Sequence, residues 1–377
     1  MSFMSSLNIT GIGAVTPLGL SAPASAAGLR AGISRLGPVL SSEVDAAAGG
    51  TEPAVGGRVP LEWFDGGPQV EEWPGHERFE HPYPPPEHLV IESGGDRLVR
   101  LAVPAAAESW RRSGRSGVPP ANWGLFIGID TGETEETRER LAAAVTNALD
   151  GLRPAVTEIL TEGRAAGLAA LHRAAAAILS GKIAGAVVGG VDSLVRPDVH
   201  ARLLAAGVLK DAIASPQGIR PGEAAAFLVI EAPSRGGTPL ALLAGTGVAE
   251  EPTAGTEQPN QARGLTAAIR AARTAAPLPY VPLMICDLNG ERYRALEWLL
   301  AYPRSLGDLK WHYDVPTCGE FWHPADCLGD TGAASGMVDC VWAVEALRKG
   351  YALSERVLVW GASEGRLRAA AILAPTK

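Results

Sequence analysis

The chain has 377 residues, 46% of them hydrophobic and 20% charged, with a net charge of −8. That balance suits one or two globular domains with a sizeable core and excludes a disordered or fibrous chain. It also excludes the broad basic face of a non-specific nucleic-acid binder, and no apolar run is long enough to span a membrane.

LNITGIGAVTPLG (7–19) reads as a short apolar strand entering a Gly/Pro turn, and SAPASAAGLRAG as a short helix with Ser or Pro near its start. GIGAVT lacks the third glycine of a dinucleotide fingerprint. No basic residue precedes Arg30, so the charged region of a secretory signal is missing and a cytoplasmic location is expected. Residues 41–92 then change character. Rich in Gly, Pro, acidic and aromatic residues and without a period, they read as an irregular surface insertion. Trp63 and Trp73 are its candidate binding residues, although such aromatics more often anchor their own loop.

From residue 94 the pattern is regular. Residues 94–113 predict a helix, WGLFIGIDTG (123–132) a buried strand, ETEETRERLAAAVTNAL a helix with an acidic first turn, and PAVTEIL a strand. TEGRAAGLAALHRAAAAILSG is a loop and a helix of small residues, followed by the strand KIAGAVVGGVDSL, the short helix VHARLLAAGVL and the strand EAAAFLVIEAP. The second half repeats the logic: a strand in TPLALLAGTGVAEE, a helix in NQARGLTAAIRAARTAAP, and strand, loop and helix in VPLMICDLNGERYRALEWLLA. TGAASGMVDCVWAVEALRKG is another small-residue helix, and ERVLVWGASEGRLRAAAILAP a closing pair of strands. Alternating strands and helices make an α/β protein, and helices this rich in Ala and Gly belong between layers.

Four of these segments, in order, resemble the β-ketoacyl synthases of the thiolase fold: ITGIGAVTPLG (9–19), GRAAGLAALHRAAAAILSGKIAGAVVGGVDSL (163–194), PGEAAAFLVIE (221–231) and GDTGAASGMVDCVWAVEAL (329–347). The resemblance covers most of the chain apart from 41–92. It implies a thiolase-like α/β fold of two similar halves, 1–235 and 236–377, each a mixed five-stranded sheet, in an α-β-α-β-α layered arrangement. It also implies a dimer formed through a strand near the nucleophile helix.

The resemblance further implies a thiolate at a helix N-terminus, where the dipole lowers its pKa, and two histidines that bond the developing enolate oxygen. In this sequence the nucleophile position falls on Arg164, the two histidine positions on Cys286 and Asp330, and the nearby lysine on Ala325. The gating loop near the C-terminus reads GASEG and lacks phenylalanine. An arginine is no nucleophile, and at a helix N-terminus it opposes the dipole unless an acid pairs with it. Glu162, Asp287 and Asp330 are the candidate acids, and the expectation is a charged cluster filling the former pocket.

The expected function is therefore that of a catalytically inactive ketosynthase-like protein retained as a binding, scaffolding or accessory subunit. The alternative is an acyltransferase or condensing enzyme using non-standard residues such as Cys286. One version of the inactive reading resembles the chain-length factors, which implies a homodimer or a heterodimer with a ketosynthase-like chain, and a protein client or an acyl carrier protein as partner. The CDLNGERYR loop resembles ketosynthase-like proteins of type VI secretion effector loci, which implies an adaptor or chaperone. The four cysteines are too few for a disulfide scaffold. His312, Cys318, His323 and Cys327 are metal-ligand types, but their spacing is looser than structural zinc sites use. No metal or cofactor is expected, His172 reads as a core histidine, and His76, His81 and His88 as loop residues.

Overall fold

The computed structural model describes residues 6–39, 54–60, 94–115, 122–210, 215–235 and 238–376. Trp63, Trp73, His76, His81 and His88 lie outside the described residues. β1 (Leu7–Val15), buried throughout, leads into α1 (Ala22–Arg30), whose Ser21 cap accepts a hydrogen bond from the Ala24 amide. β2 (Leu36–Val39) and β3 (Ala54–Gly57) form an antiparallel pair. Part of the expected irregular insertion is thus a strand. It is held to the body of the protein by Gly57 N donating to Pro221 O (2.8 Å) and Val59 N donating to Glu223 Oε1 (2.7 Å).

The first half continues with α2 (Gly95–Arg112), β4 (Trp123–Ile129), α3 (Glu135–Ala148), β5 (Val156–Thr161), α4 (Ala166–Leu179), β6 (Gly185–Ser193), α5 (Pro197–Ala205) and β7 (Glu223–Glu231). The second half has β8 (Ala241–Glu250), α6 (Arg263–Ala275), β9 (Leu283–Cys286), α7 (Arg292–Ser305), β10 (Phe321–Trp322), α8 (Ala325–Leu328), α9 (Ser335–Arg348), β11 (Val357–Ala362) and β12 (Leu367–Ala374). β10 and α8 break up a stretch whose sequence reads as loop.

The strand order exposes a repeat. In the first half it runs β1-β7-β6-β4-β5, in the second β8-β12-β11-β9-β10. Each set makes two antiparallel pairings followed by two parallel ones. Among the described strands the sets are joined along Leu7–Ile9 of β1, which pairs with Ala241–Leu243 of β8. α4 and α9 each touch strands of both sets, so the two five-stranded units face one another across a buried helical layer, as the thiolase-like reading expects.

That layer explains the small residues. Every residue of α9 from Ser335 to Leu347 is buried, as are nine positions of α4. A helix buried on all sides has no wet face to offer polar residues. At the closest approach, a Cβ on Gly128 of β4 would lie 2.2 Å from the Gly167 amide nitrogen and 2.4 Å from the Ala166 carbonyl carbon. A Cβ on Gly167 would meet Met337 of α9 at 2.7 Å. The obstacle at Gly128 is backbone, so it has no rotamer by which to escape. Gly128→Ala should destabilise the protein by about 3 kcal/mol, at the upper end of overpacking costs. Urea unfolding monitored by tryptophan fluorescence would measure it, and an unchanged midpoint would contradict this account of the layer.

Candidate functional site

The two central helices begin facing each other. A 3-10 turn at Gly163–Ala165 leads into α4, and a corresponding turn at Gly332–Ala334 leads into α9. Neither helix carries its own side-chain cap, so donors at both starts need acceptors from elsewhere. They come from equivalent places in the two halves. The Ala165 amide donates to Ser363 Oγ just after β11 (3.0 Å), and the Ala333 amide donates to Asp192 Oδ2 near the end of β6 (2.9 Å).

Arg164 lies in the first turn and is 7% exposed. Its Nε is 3.0 Å from both oxygens of Asp330, and its Nη2 is 2.5 Å from Asp330 Oδ2. Its Nη1 meets Glu364. Asp330 also accepts from Asn289 Nδ2 (2.6 Å) and from the Gly332 amide (2.9 Å). Burial pushes the Asp330 carboxyl upward, but Arg164, then the charge of Arg294 and the Gly332 amide, hold it below the usual carboxylate range.

A second guanidinium stands beside the first. Arg294, buried on α7, donates to Asp287 Oδ2 (2.9 Å), Glu291 Oε2 (2.8 Å) and Glu364 Oε1 (3.3 Å), and also to the Ala362 carbonyl. Asp287 Oδ2 accepts the Ala362 amide at 2.9 Å, while its Oδ1 has no hydrogen-bond partner among the described residues. Burial pushes the Asp287 carboxyl upward against the pull of Arg294. Two guanidiniums and four carboxylates therefore converge here, with half-exposed Glu364 bridging both cations at the solvent side.

Of the residues singled out from sequence, Arg164 and Asp330 are brought into direct contact. Asp287 belongs to the cluster but serves Arg294. Glu162 does not pair with Arg164: its carboxylate lies 3.8 Å from Arg173, and its carbonyl accepts the Ser363 hydroxyl. The chain turns at Gly163, whose φ is +73°, and this turn separates the two neighbouring side chains. Glu364, Glu291, Arg294 and Asn289 were not singled out. Their only signal was charge clustered in the GASEG and CDLNGERYR loops.

Cys286 ends β9 and is fully buried, and burial pushes its thiol well above the ordinary range. With Asp287, Asn289, Ala325, Asp330 and Asp339 it borders a cavity of ≈ 10 Å³, about the minimum for one water molecule. Asp339, buried on α9, is driven strongly toward its neutral form by burial and then by Asp287. His172 shares a hydrogen bond with Thr246 (2.9 Å), and burial lowers its pKa. The described residues contain no group of three or more metal-ligand side chains able to hold an ion, and none of their helices is long and apolar enough to cross a membrane.

Residues 159–235, which include this helix start and the strands flanking it, match the family model for the β-ketoacyl synthase N-terminal domain. Over 99% of its length the chain superposes on the ketosynthase from module 6 of the bacillaene synthase of Bacillus subtilis 168, with a TM-score of 0.76, 14% identity and 72% of that chain covered. The fold is that of the ketosynthases. A type II PKS acyl-carrier protein in complex with its ketosynthase bound to the hexaketide (AntDE:AntF) gives 0.76 and 14% identity, with 99% of this chain and 100% of that chain covered. The ishigamide ketosynthase/chain length factor gives 0.73 and 19% identity, with 99% and 100% covered. No curated protein is a significant sequence match to this chain.

Two expectations follow for this ketosynthase-like site. Removing one member of a buried ion pair strands the other, at a cost of about 3–5 kcal/mol, whereas replacing both with apolar residues is far milder. Asp330→Leu should therefore unfold at markedly lower urea than Arg164→Met/Asp330→Leu, and equal midpoints would show that the pair is uncoupled. The second concerns Asp192, which burial, and next the charge of Asp130, push up to about 7. A carboxyl that binds its proton more tightly when folded stabilises the fold most below its unfolded pKa, near 4. That contribution is lost as pH rises through about 7. The stability difference between wild type and Asp192→Asn should thus shift between pH 4 and pH 7, as read from denaturation at several pH values. A constant difference would contradict the assignment.

Proposed function

We propose that this ketosynthase-like protein has no condensing activity and serves as a binding, scaffolding or accessory subunit. The observation that carries this reading is the guanidinium of Arg164 at the start of α4, held by Asp330 and Glu364, at the position the resemblance assigns to the nucleophile. Acyl transfer needs an electropositive, partly exposed thiolate, and the ionisation of Cys286 is disfavoured by burial and then by neighbouring acids. Enolate stabilisation needs neutral donors, and Asp330 presents a carboxylate. The ≈ 10 Å³ cavity has no room for an acyl chain.

The partners proposed are a second copy or a ketosynthase-like chain, and an acyl carrier protein or another protein as client. This draws on the matched ketosynthase/chain length factor and carrier-protein complex. None of the three structures named above bears on the secretion-adaptor reading, and Asp287, Asn289, Glu291 and Arg294 of the CDLNGERYR loop are engaged in the Arg164–Arg294 cluster.

The second reading, an acyltransferase using Cys286, is favoured by one observation: the thiol borders the cavity beside Asp287 and Asp339. Incubation with acyl-loaded carrier protein and with acyl thioesters of coenzyme A, followed by intact mass measurement, separates the two. The expected result is no adduct on wild type. An acyl adduct retained in Cys340→Ala and lost in Cys286→Ala would overturn the inactive reading.

A further inference from the structure

The two halves repeat the same architecture, so corresponding helices act as controls for one another. α3 and α7 occupy equivalent places, each between the second strand of its half and the edge strand beside it. The solvent face of α3 is mainly polar, exposing Glu135, Glu136, Glu139, Arg140 and Asn147 with Ala143 among them. The solvent face of α7 is not. Leu296, Leu299 and Leu300 are 47%, 66% and 39% exposed, and Pro303 continues the row. The opposite face of α7 is fully occupied, with Arg294, Glu297, Trp298 and Ala301 buried. Half-exposed Trp311 stands beside Tyr302 of the same helix. Leucines at i, i+3 and i+4, with Pro303 next in the series, form an apolar ridge of the kind that docks helices, and contiguous exposed leucines mark an interaction surface.

The charge around the ridge says what kind of partner fits. Arg292 is exposed at the start of α7, Arg270 and Arg304 at its end, and Lys310 on the loop that follows. Arg270 reaches the Arg304 carbonyl through Nε (3.0 Å) and Nη2 (2.7 Å), which fixes its cation at that end. Of the acids in residues 292–314, Glu297 is buried against Arg368 and Asp308 is answered by two 2.8 Å bonds from Arg273, leaving Asp314. In a chain of net charge −8, this is a basic frame around an apolar row. A symmetric contact with a second copy would set arginine against arginine.

We propose that the outer face of α7 is a docking surface for an acidic amphipathic helix of another protein, its leucines meeting the partner's apolar stripe and its arginines the partner's carboxylates. The proposal holds whether or not the Arg164 site is active, so its test is independent of acyl transfer.

The probe is a synthetic, fluorescein-labelled helical peptide with leucines at i, i+3, i+4 and i+7 and glutamates on its flanks. The control is the same peptide with lysines for glutamates. Fluorescence anisotropy should show saturable binding of the acidic peptide, weakened by added salt, and at least about tenfold weaker binding of the lysine peptide. Leu299→Glu and, separately, Arg304→Glu should each weaken the acidic peptide by about tenfold or more. Leu299 and Arg304 are exposed, so these variants keep the fold, which unchanged urea midpoints would verify. Failure of the acidic peptide to bind, equal binding of both peptides, or binding unaffected by Leu299→Glu would each overturn the proposal. So would sedimentation showing a dimer that Leu299→Glu abolishes, since the occupant would then be a second copy.

Discussion

Two helix N-termini buried face to face are the constraint on which the rest of this structure depends. Each start presents unpaired amides and the positive end of a dipole, and solvent is excluded from both. An arginine placed there adds a third positive element. The arrangement is tenable because Asp330 lies across Arg164, Ser363 and Asp192 accept amides at the two starts, and Glu364 closes the outer side. Asp330 is the hinge of the set: it accepts from Arg164, from Asn289 and from the turn that starts the opposite helix.

The same compensation is the basis of the proposed lack of condensing activity. A site built to ionise a thiol or to hold an enolate needs uncommitted donors near a reactive group. Here the donors are committed: Arg164 and Arg294 spend their hydrogen bonds on Asp330, Asp287, Glu291 and Glu364. The remaining acid, Asp339, and the remaining thiol, Cys286, are pushed by burial toward their neutral forms. The ketosynthase fold supplies the place, and the side chains present fill it with a closed charge network. Fold by itself does not carry function, which is why the proposed lack of condensing activity rests on these side chains and not on the fold.

The repeat also separates what the architecture demands from what this chain has added. Both halves use the same strand order and the same sense of pairing, and both start their central helices with a 3-10 turn. The halves differ in the residues they place at corresponding positions. Asp192 on one side corresponds to Ser363 on the other, and the acidic face of α3 to the leucine face of α7. The first difference changes which side chain accepts an amide at a helix start, and the second lies on a solvent face.

Much of the fold was legible in the amino-acid sequence because it is written in local patterns. Continuous apolar runs such as KIAGAVVGGVDSL and EAAAFLVIEAP are strands covered on both sides, and Ala/Gly helices are those that must lie between sheets. β10 and α8 were not legible, since a two-residue strand and a single helical turn owe their form to β9 and to the turn before Asp330 rather than to any period of their own. At the site, an arginine at a helix N-terminus was enough to demand an acid. Which acid it took was decided only in three dimensions. Glu162, two residues away, is turned aside at Gly163, while Asp330 is brought over from 166 residues along the chain. Sequence proximity governs what local backbone geometry can reach, whereas a buried charge is answered by whatever the packed helices and loops carry to it.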